Sequence, residues 1–129
     1  SLYSMDVTVD LNSEKRALVT ARSYSSVLKC LYFACYLNKA DSQELLTYLT
    51  QSTFTDRLVA GTPSGTKVAH KIGTFSQETQ SDCGIVYLQK RNYSLCVMVD
   101  MPDPQGSESI AHVSKVVYDF VSSQSARSN

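Results

Sequence analysis

Lys67-Val68-Ala69-His70-Lys71-Ile72-Gly73-Thr74-Phe75 follows directly on a turn cluster, Gly61-Thr62-Pro63-Ser64-Gly65, and reads as a strand. On a strand, alternate side chains share a face, so Lys71 is expected to point the same way as Ala69 and Gly73, with His70 and Ile72 on the other face. One face then carries the Lys71 cation beside almost bare backbone. That fills a core poorly and receives an anion well, because glycine lets a ligand approach the main-chain N–H groups.

Working outward, the apolar period changes to two from residue 66 onward. Strands are predicted at about 66–75, 82–89 and 93–100, separated by Ser76 to Ser81 and by Lys90-Arg91-Asn92, which makes an antiparallel meander. Pro102 and Pro104 end it. A last helix is predicted from the Ser107 cap, with Glu108 in its first turn. Its stripe of Ile110, Val113, Val117, Phe120 and Val121 should lie across the sheet, leaving Ser122 to Asn129 as a polar tail.

On the N-terminal side, residues 1 to 19 read as an extended surface approach. Thr20 reads as an N-cap, and Tyr24, Val27, Leu28, Leu31, Tyr32, Ala34 and Cys35 recur at helical intervals to about Asn38. That helix is apolar over more than half its circumference and expects neighbours on two sides. Asp41-Ser42-Gln43-Glu44 has the form of a capping box and opens a second helix to about Ser52, joined to the first only by Lys39-Ala40. Phe54 to Gly61 is a short apolar turn. The class is α+β: helices packed on a three-stranded antiparallel meander, with a C-terminal helix.

A chain of 129 residues is one domain's length or less, so residues 1–129 are read as a single, partial domain. Twelve Lys and Arg against twelve Asp and Glu give no net charge and no basic run, which excludes the footprint of a nucleic-acid binder. No apolar run is long enough for a membrane span. Ser1-Leu2-Tyr3 suggests an excised or processed piece. Cys30, Cys35, Cys83 and Cys96 lack zinc-ligand spacing, and neither a metal nor a cofactor is expected. Cys30 and Cys35 do not share a face of the predicted helix, and Cys83 and Cys96 fall two residues out of register across their hairpin. Four buried free thiols are therefore expected.

The run Arg57 to Gly73, followed by Asp82-Cys83-Gly84-Ile85-Val86-Tyr87-Leu88, Tyr93-Ser94-Leu95-Cys96-Val97-Met98-Val99 and the final helix, resembles the C-terminal part of serine β-lactamase-like and penicillin-binding hydrolases. The similarity is greatest to the class A β-lactamase-related group with histidine before the strand lysine, and it spans about residues 19 to 123. That family uses a serine nucleophile in Ser-x-x-Lys, a second Ser-x-Asn element and a strand Lys-Thr-Gly. Only the last has a counterpart, Lys71-Ile72-Gly73, with Ile72 in place of the family's Thr or Ser. Ser26-Val27-Leu28-Lys29 has the letters of the nucleophile motif but lies too late in the family's order.

The resemblance implies acyl transfer through a serine ester on β-lactams or D-Ala-D-Ala-type cell-wall peptides. Lys71 would offer charge to the substrate carboxylate and to the second serine, Gly73 would keep the strand edge open, and the Thr74 backbone N–H would be an oxyanion donor. The nucleophile would come from the upstream half of the same domain, so this chain alone is expected to be inactive. An extracytoplasmic location follows from such a substrate. The alternative is a non-catalytic module that holds a carboxylated cell-wall peptide at Lys71.

The remaining polar residues read as structural. His70 is expected to be packed or hydrogen-bonded, and His112 to be structural beside the helix stripe. Asp56 and Arg57 are expected to pair locally, with Glu78 and Asp82 as loop charges. The third strand presents an apolar edge that nothing downstream pairs; in the resembled fold an early strand covers it.

Overall fold

The computed structural model describes residues 19–75, 77–89 and 91–127. The extended approach expected for residues 1 to 18, and Ser128 and Asn129 of the expected tail, lie outside the described residues. Two helices, α1 (Ala21–Tyr32) and α2 (Lys39–Leu49), precede a 3-10 turn at Val59–Gly61, the strands β1 (Lys67–Phe75), β2 (Thr79–Tyr87) and β3 (Tyr93–Asp100), and a long helix α3 (Gln105–Arg127). The sheet is an antiparallel meander in the order β1-β2-β3. This is the α+β arrangement expected, helices packed on a three-stranded antiparallel meander with a C-terminal helix.

The sheet separates two apolar clusters. On one face Leu28 of α1 and Leu46 of α2 pack on Ala69, Cys83 and Ile85. On the other, Ile110 of α3 and Leu58 pack on Val68 and Val86. α3 continues to Arg127, so much of the expected polar tail is helix. Its inner face also differs from the expected stripe: Ser114 is buried and donates from Oγ to the Leu58 carbonyl at 2.7 Å, whereas Val113 and Phe120 are exposed. A hydroxyl takes the inner position there and gives the Leu58 carbonyl a second, shorter bond beside the 3.3 Å one from the Gly61 N–H.

The α1–α2 corner departs from expectation. Thr20 caps α1 as predicted, its Oγ1 accepting from the Ser23 N–H at 3.1 Å. The helix stops at Tyr32 instead of Asn38, however, because Ala34 turns left-handed with φ of 55°. Asn38 then caps α2, its Oδ1 accepting from the Asp41 N–H at 3.0 Å and its Nδ2 donating to Asp41 at 2.7 Å. Asp41 therefore lies inside the first turn of α2, and Lys39-Ala40 are helical, not a linker.

β2 starts at Thr79, three residues before its predicted start at Asp82. Gln80 and Asp82 are buried polar residues of this strand, not loop residues. β2 also ends at Tyr87, two residues before its predicted end at 89, and this wider connection to β3 sets Cys83 opposite Cys96, where the two form a disulfide with Cα atoms 3.9 Å apart. The expectation of four buried free thiols is corrected accordingly: Cys30 is buried and free, and Cys35 is free but exposed. Replacing both bonded cysteines (Cys83→Ala with Cys96→Ala) is expected to lower unfolding stability by about 3 kcal/mol, the chain-entropy value for a loop of this length. Urea midpoints of the oxidised protein and the double variant test this, and equal midpoints would contradict it.

Candidate functional site

Among the described residues β1 is an edge strand, and it passes from buried at Val68, Ala69 and His70 to exposed at Lys71. The register Ala69↔Ile85, Lys71↔Cys83 and Gly73↔Ser81 places Lys71 on the α1 side of the sheet, together with Ala69 and Gly73 as the alternation predicted. Lys71 is exposed, and its Nζ donates to the Ile72 carbonyl at 2.8 Å. Beneath it lies a cleft of about 310 Å³, walled by Ile72 and Gly73, by Ser81, Cys83 and Met98 of the neighbouring strands, and by Val19 and Tyr24 at the start of α1. Burial, and behind it the charge of Asp82, pushes the Tyr24 phenol above its ordinary value, so it is a neutral hydroxyl in this cleft.

His70 faces the other way and is buried. Its Nδ1 lies 2.9 and 3.0 Å from the two Asp82 oxygens, and Asp82 Oδ2 also accepts the Leu58 N–H at 3.0 Å. An ionised carboxylate only accepts, so the His70 proton sits on Nδ1. Asp82 thereby ties β1, β2 and the 3-10 turn together, correcting its reading as a loop charge. Gly84, opposite His70, leaves the room required: a Cβ there would come within 2.6 Å of the Ala69 carbonyl and 2.7 Å of His70 Cβ.

Arg57 was expected to pair with Asp56; it is instead 3% exposed and reaches residues far along the chain. Nη1 donates to the carbonyls of Gly73 (3.0 Å) and Ser81 (2.8 Å). Nη2 donates to Thr74 Oγ1 (3.1 Å) and Gln80 Oε1 (2.7 Å) and approaches Asp103 at 3.5 Å, while Nε donates to Ser107 Oγ (3.2 Å). Thr74 Oγ1 in turn donates to Gln80 at 2.9 Å. The guanidinium thus grips the strand from behind at Gly73-Thr74. Because the Thr74 hydroxyl is engaged inward, what this residue can offer a ligand is main chain. No local motif announces such a hub; an arginine followed by the apolar Leu58-Val59 was the available signal.

Of the other candidates, Ser26 is exposed and its Oγ donates back to the Arg22 carbonyl at 3.0 Å, on a helix face away from Lys71. His112 is exposed on α3. Among the described residues no helix is long and apolar enough to cross a membrane.

Lys71 and Gly73 thus stand together on one face of β1, at the rim of a cleft. Residues 3–121 match the model of the β-lactamase enzyme family, and the chain belongs to that family. It is similar to the solved structure of PBP-A, with 28% identity and a TM-score of 0.74, over 79% of this chain and 39% of that one. A β-lactamase from Chitinophaga pinensis is similar with 25% identity and a TM-score of 0.71, over 78% and 41%. A class A β-lactamase from Mycobacterium abscessus shares the fold at 20% identity and a TM-score of 0.70, over 78% and 41%. The chain spans about two-fifths of the length of these structures. Comparison with curated protein sequences gives no match.

Proposed function

We propose that this chain is the C-terminal part of a serine hydrolase domain that acts by acyl transfer on β-lactams or D-Ala-D-Ala-type peptides, with the nucleophile supplied by the upstream part. The observation that carries this reading is the exposed Lys71 beside Gly73 on an open strand edge above a cleft. Lys71 attracts the substrate carboxylate, and the Thr74 N–H acts as one oxyanion donor; fixed donors of this kind contribute about 2.7–4 kcal/mol to lowering the barrier. Arg57 takes no part in the chemistry and holds the strand that does.

Support comes from the similarity to PBP-A, a mutant of which is described as an acyl-enzyme complex with penicillin G, again at 28% identity. An extracytoplasmic site of action fits the Cys83–Cys96 disulfide, since such bonds persist in oxidising compartments. The cleft walls of Val19, Tyr24 and Met98 favour a substrate with an apolar side chain next to its carboxylate.

The test is acylation of the whole protein by labelled penicillin. A covalent adduct is expected, and Lys71→Ala is expected to slow its formation by about 10²-fold. Lys71 is exposed, so this variant should keep the wild-type unfolding midpoint. If the folded whole protein forms no adduct yet binds a carboxylated peptide in a Lys71-dependent way, the reading gives way to a non-catalytic binding module.

A further inference from the structure

The sequence expectation kept Cys30 and Cys35 apart on one continuous helix. The structure ends that helix between them. Phe33 is the C-cap of α1 and Ala34 follows with φ of 55°. The Cys35 N–H then reaches back to the Cys30 carbonyl at 2.8 Å, and the Ala34 N–H to the Leu31 carbonyl at 3.2 Å. This pair of bonds is a Schellman motif, whose geometry characteristically brings together the side chains of the residues joined by its outer bond. In most helices the side chains that meet there are apolar. Here both are thiols, Cys30 on the last turn of α1 and Cys35 just past its end.

We infer that Cys30 and Cys35 form a second, reversible disulfide site, preassembled by the turn that ends α1. The two thiols differ in access: Cys35 is exposed, and Cys30 is buried. Cys35 is therefore the entry point. Its thiolate attacks one sulfur of a small-molecule disulfide such as oxidised glutathione, breaking that S–S bond and expelling one small thiolate, which takes up a proton. Cys30 then loses its proton to solvent and attacks the Cys35 sulfur, expelling the second small thiol. Two protein thiols are oxidised and one small disulfide is reduced to two thiols. Burial, ahead of the Cys35 contact, pushes the Cys30 thiol up, which suits it to the second, resolving role.

The inference does not depend on the hydrolase reading, and its failure would leave that reading untouched. It requires only that the turn persists in the folded protein. The bond would staple a left-handed alanine turn directly before the Asn38 cap of α2, at the corner where both helices meet the sheet.

The experiment equilibrates the whole protein, folded and in urea, in glutathione buffers of graded ratio, followed by acid quenching, alkylation and tryptic mass spectrometry. Lys29 and Lys39 bracket a single peptide carrying both cysteines. In the folded protein this peptide is expected to lose two hydrogens and resist alkylation, with an effective concentration about tenfold or more above that in urea. Cys35→Ser should leave Cys30 without a glutathione adduct while the protein stays folded. The proposal is overturned if both thiols alkylate in oxidising buffer, if each carries its own glutathione, if either links to Cys83 or Cys96, or if folding brings no gain over urea. Ready modification of Cys30 in Cys35→Ser would overturn the assigned order.

Discussion

Arg57→Met is expected to destabilise the folded protein by about 3–5 kcal/mol, the range for removing one partner of a buried charged network. Methionine replaces most of the volume and none of the donors. The Gly73 carbonyl keeps one partner, because Ser81 Oγ also donates to it at 3.2 Å. The Ser81 carbonyl loses its 2.8 Å bond to the guanidinium, and Gln80 Oε1 loses a 2.7 Å bond while keeping the Thr74 hydroxyl at 2.9 Å. An unsatisfied buried acceptor costs about 1–3 kcal/mol and a lost hydrogen bond to a charged group about 1.5–3 kcal/mol, so the Ser81 carbonyl and the Gln80 bond together bring the total into that range. The Asp103 contact adds little, since it is 3.5 Å long and Asp103 is half exposed.

Two further readouts separate this mechanism from simple loss of charge. Arg57→Lys restores a cation without the planar fork, so it should recover only part of the loss. The deficit should also persist in high salt, because a buried, neutral-acceptor network is screened little. If urea midpoints show Arg57→Met within about 1 kcal/mol of wild type, the hub is not holding the strand. In the whole protein, amide exchange at Gly73 and Thr74 should accelerate in the same variant, since the grip on that segment is what has been removed.

What was legible in the sequence follows from which signals are local. β1, the meander and α3 were readable because their apolar periods are carried by contiguous residues. Lys71 and Gly73 could be placed on one face of an open strand for the same reason, and the structure puts both at the cleft. The end of α1 was not readable, because its left-handed turn uses Ala34 where a glycine would have been the signal. The Asn38 cap was hidden behind Asp41-x-x-Glu44, which has the better-known form.

The start of β2 was missed for a deeper reason. Thr79-Gln80-Ser81-Asp82 looks like a loop because its polar groups need partners, and the partners come from Arg57, Leu58 and His70, which are remote in the chain. A second misreading, of the same strand's end, reached the cysteines. Ending the strand at Tyr87, two residues before the predicted 89, brings Cys83 level with Cys96 and turns an expected free pair into a bond. Arg57 itself draws partners from β1, β2, the Asp103 turn and the start of α3, an arrangement that no spacing rule encodes.

Asp82→Ala should be comparably damaging, at about 3–5 kcal/mol, although it removes far fewer atoms. Asp82 is 0% exposed and is the acceptor for two buried donors, the Leu58 N–H and the His70 Nδ1–H. Each donor left without a partner contributes about 1–3 kcal/mol, and the small side chain adds a cavity between the sheet and the 3-10 turn. Asn in its place offers one acceptor and turns an N–H₂ toward the second donor, so Asp82→Asn should relieve little of the loss. A double variant apportions it. With His70→Phe, whose ring fills the site and donates nothing, Asp82→Ala should cost about 1–3 kcal/mol less than it does in the wild type, because only the Leu58 N–H is then stranded. Additive costs in that cycle, read from urea midpoints, would mean that His70 and Asp82 share no interaction worth the name, and the far face of β1 would be held by apolar packing alone. Non-additivity of that size would instead identify the pair as the fixed point behind Lys71: with His70 tied inward on one side of the strand, the next residue is committed to the cleft on the other.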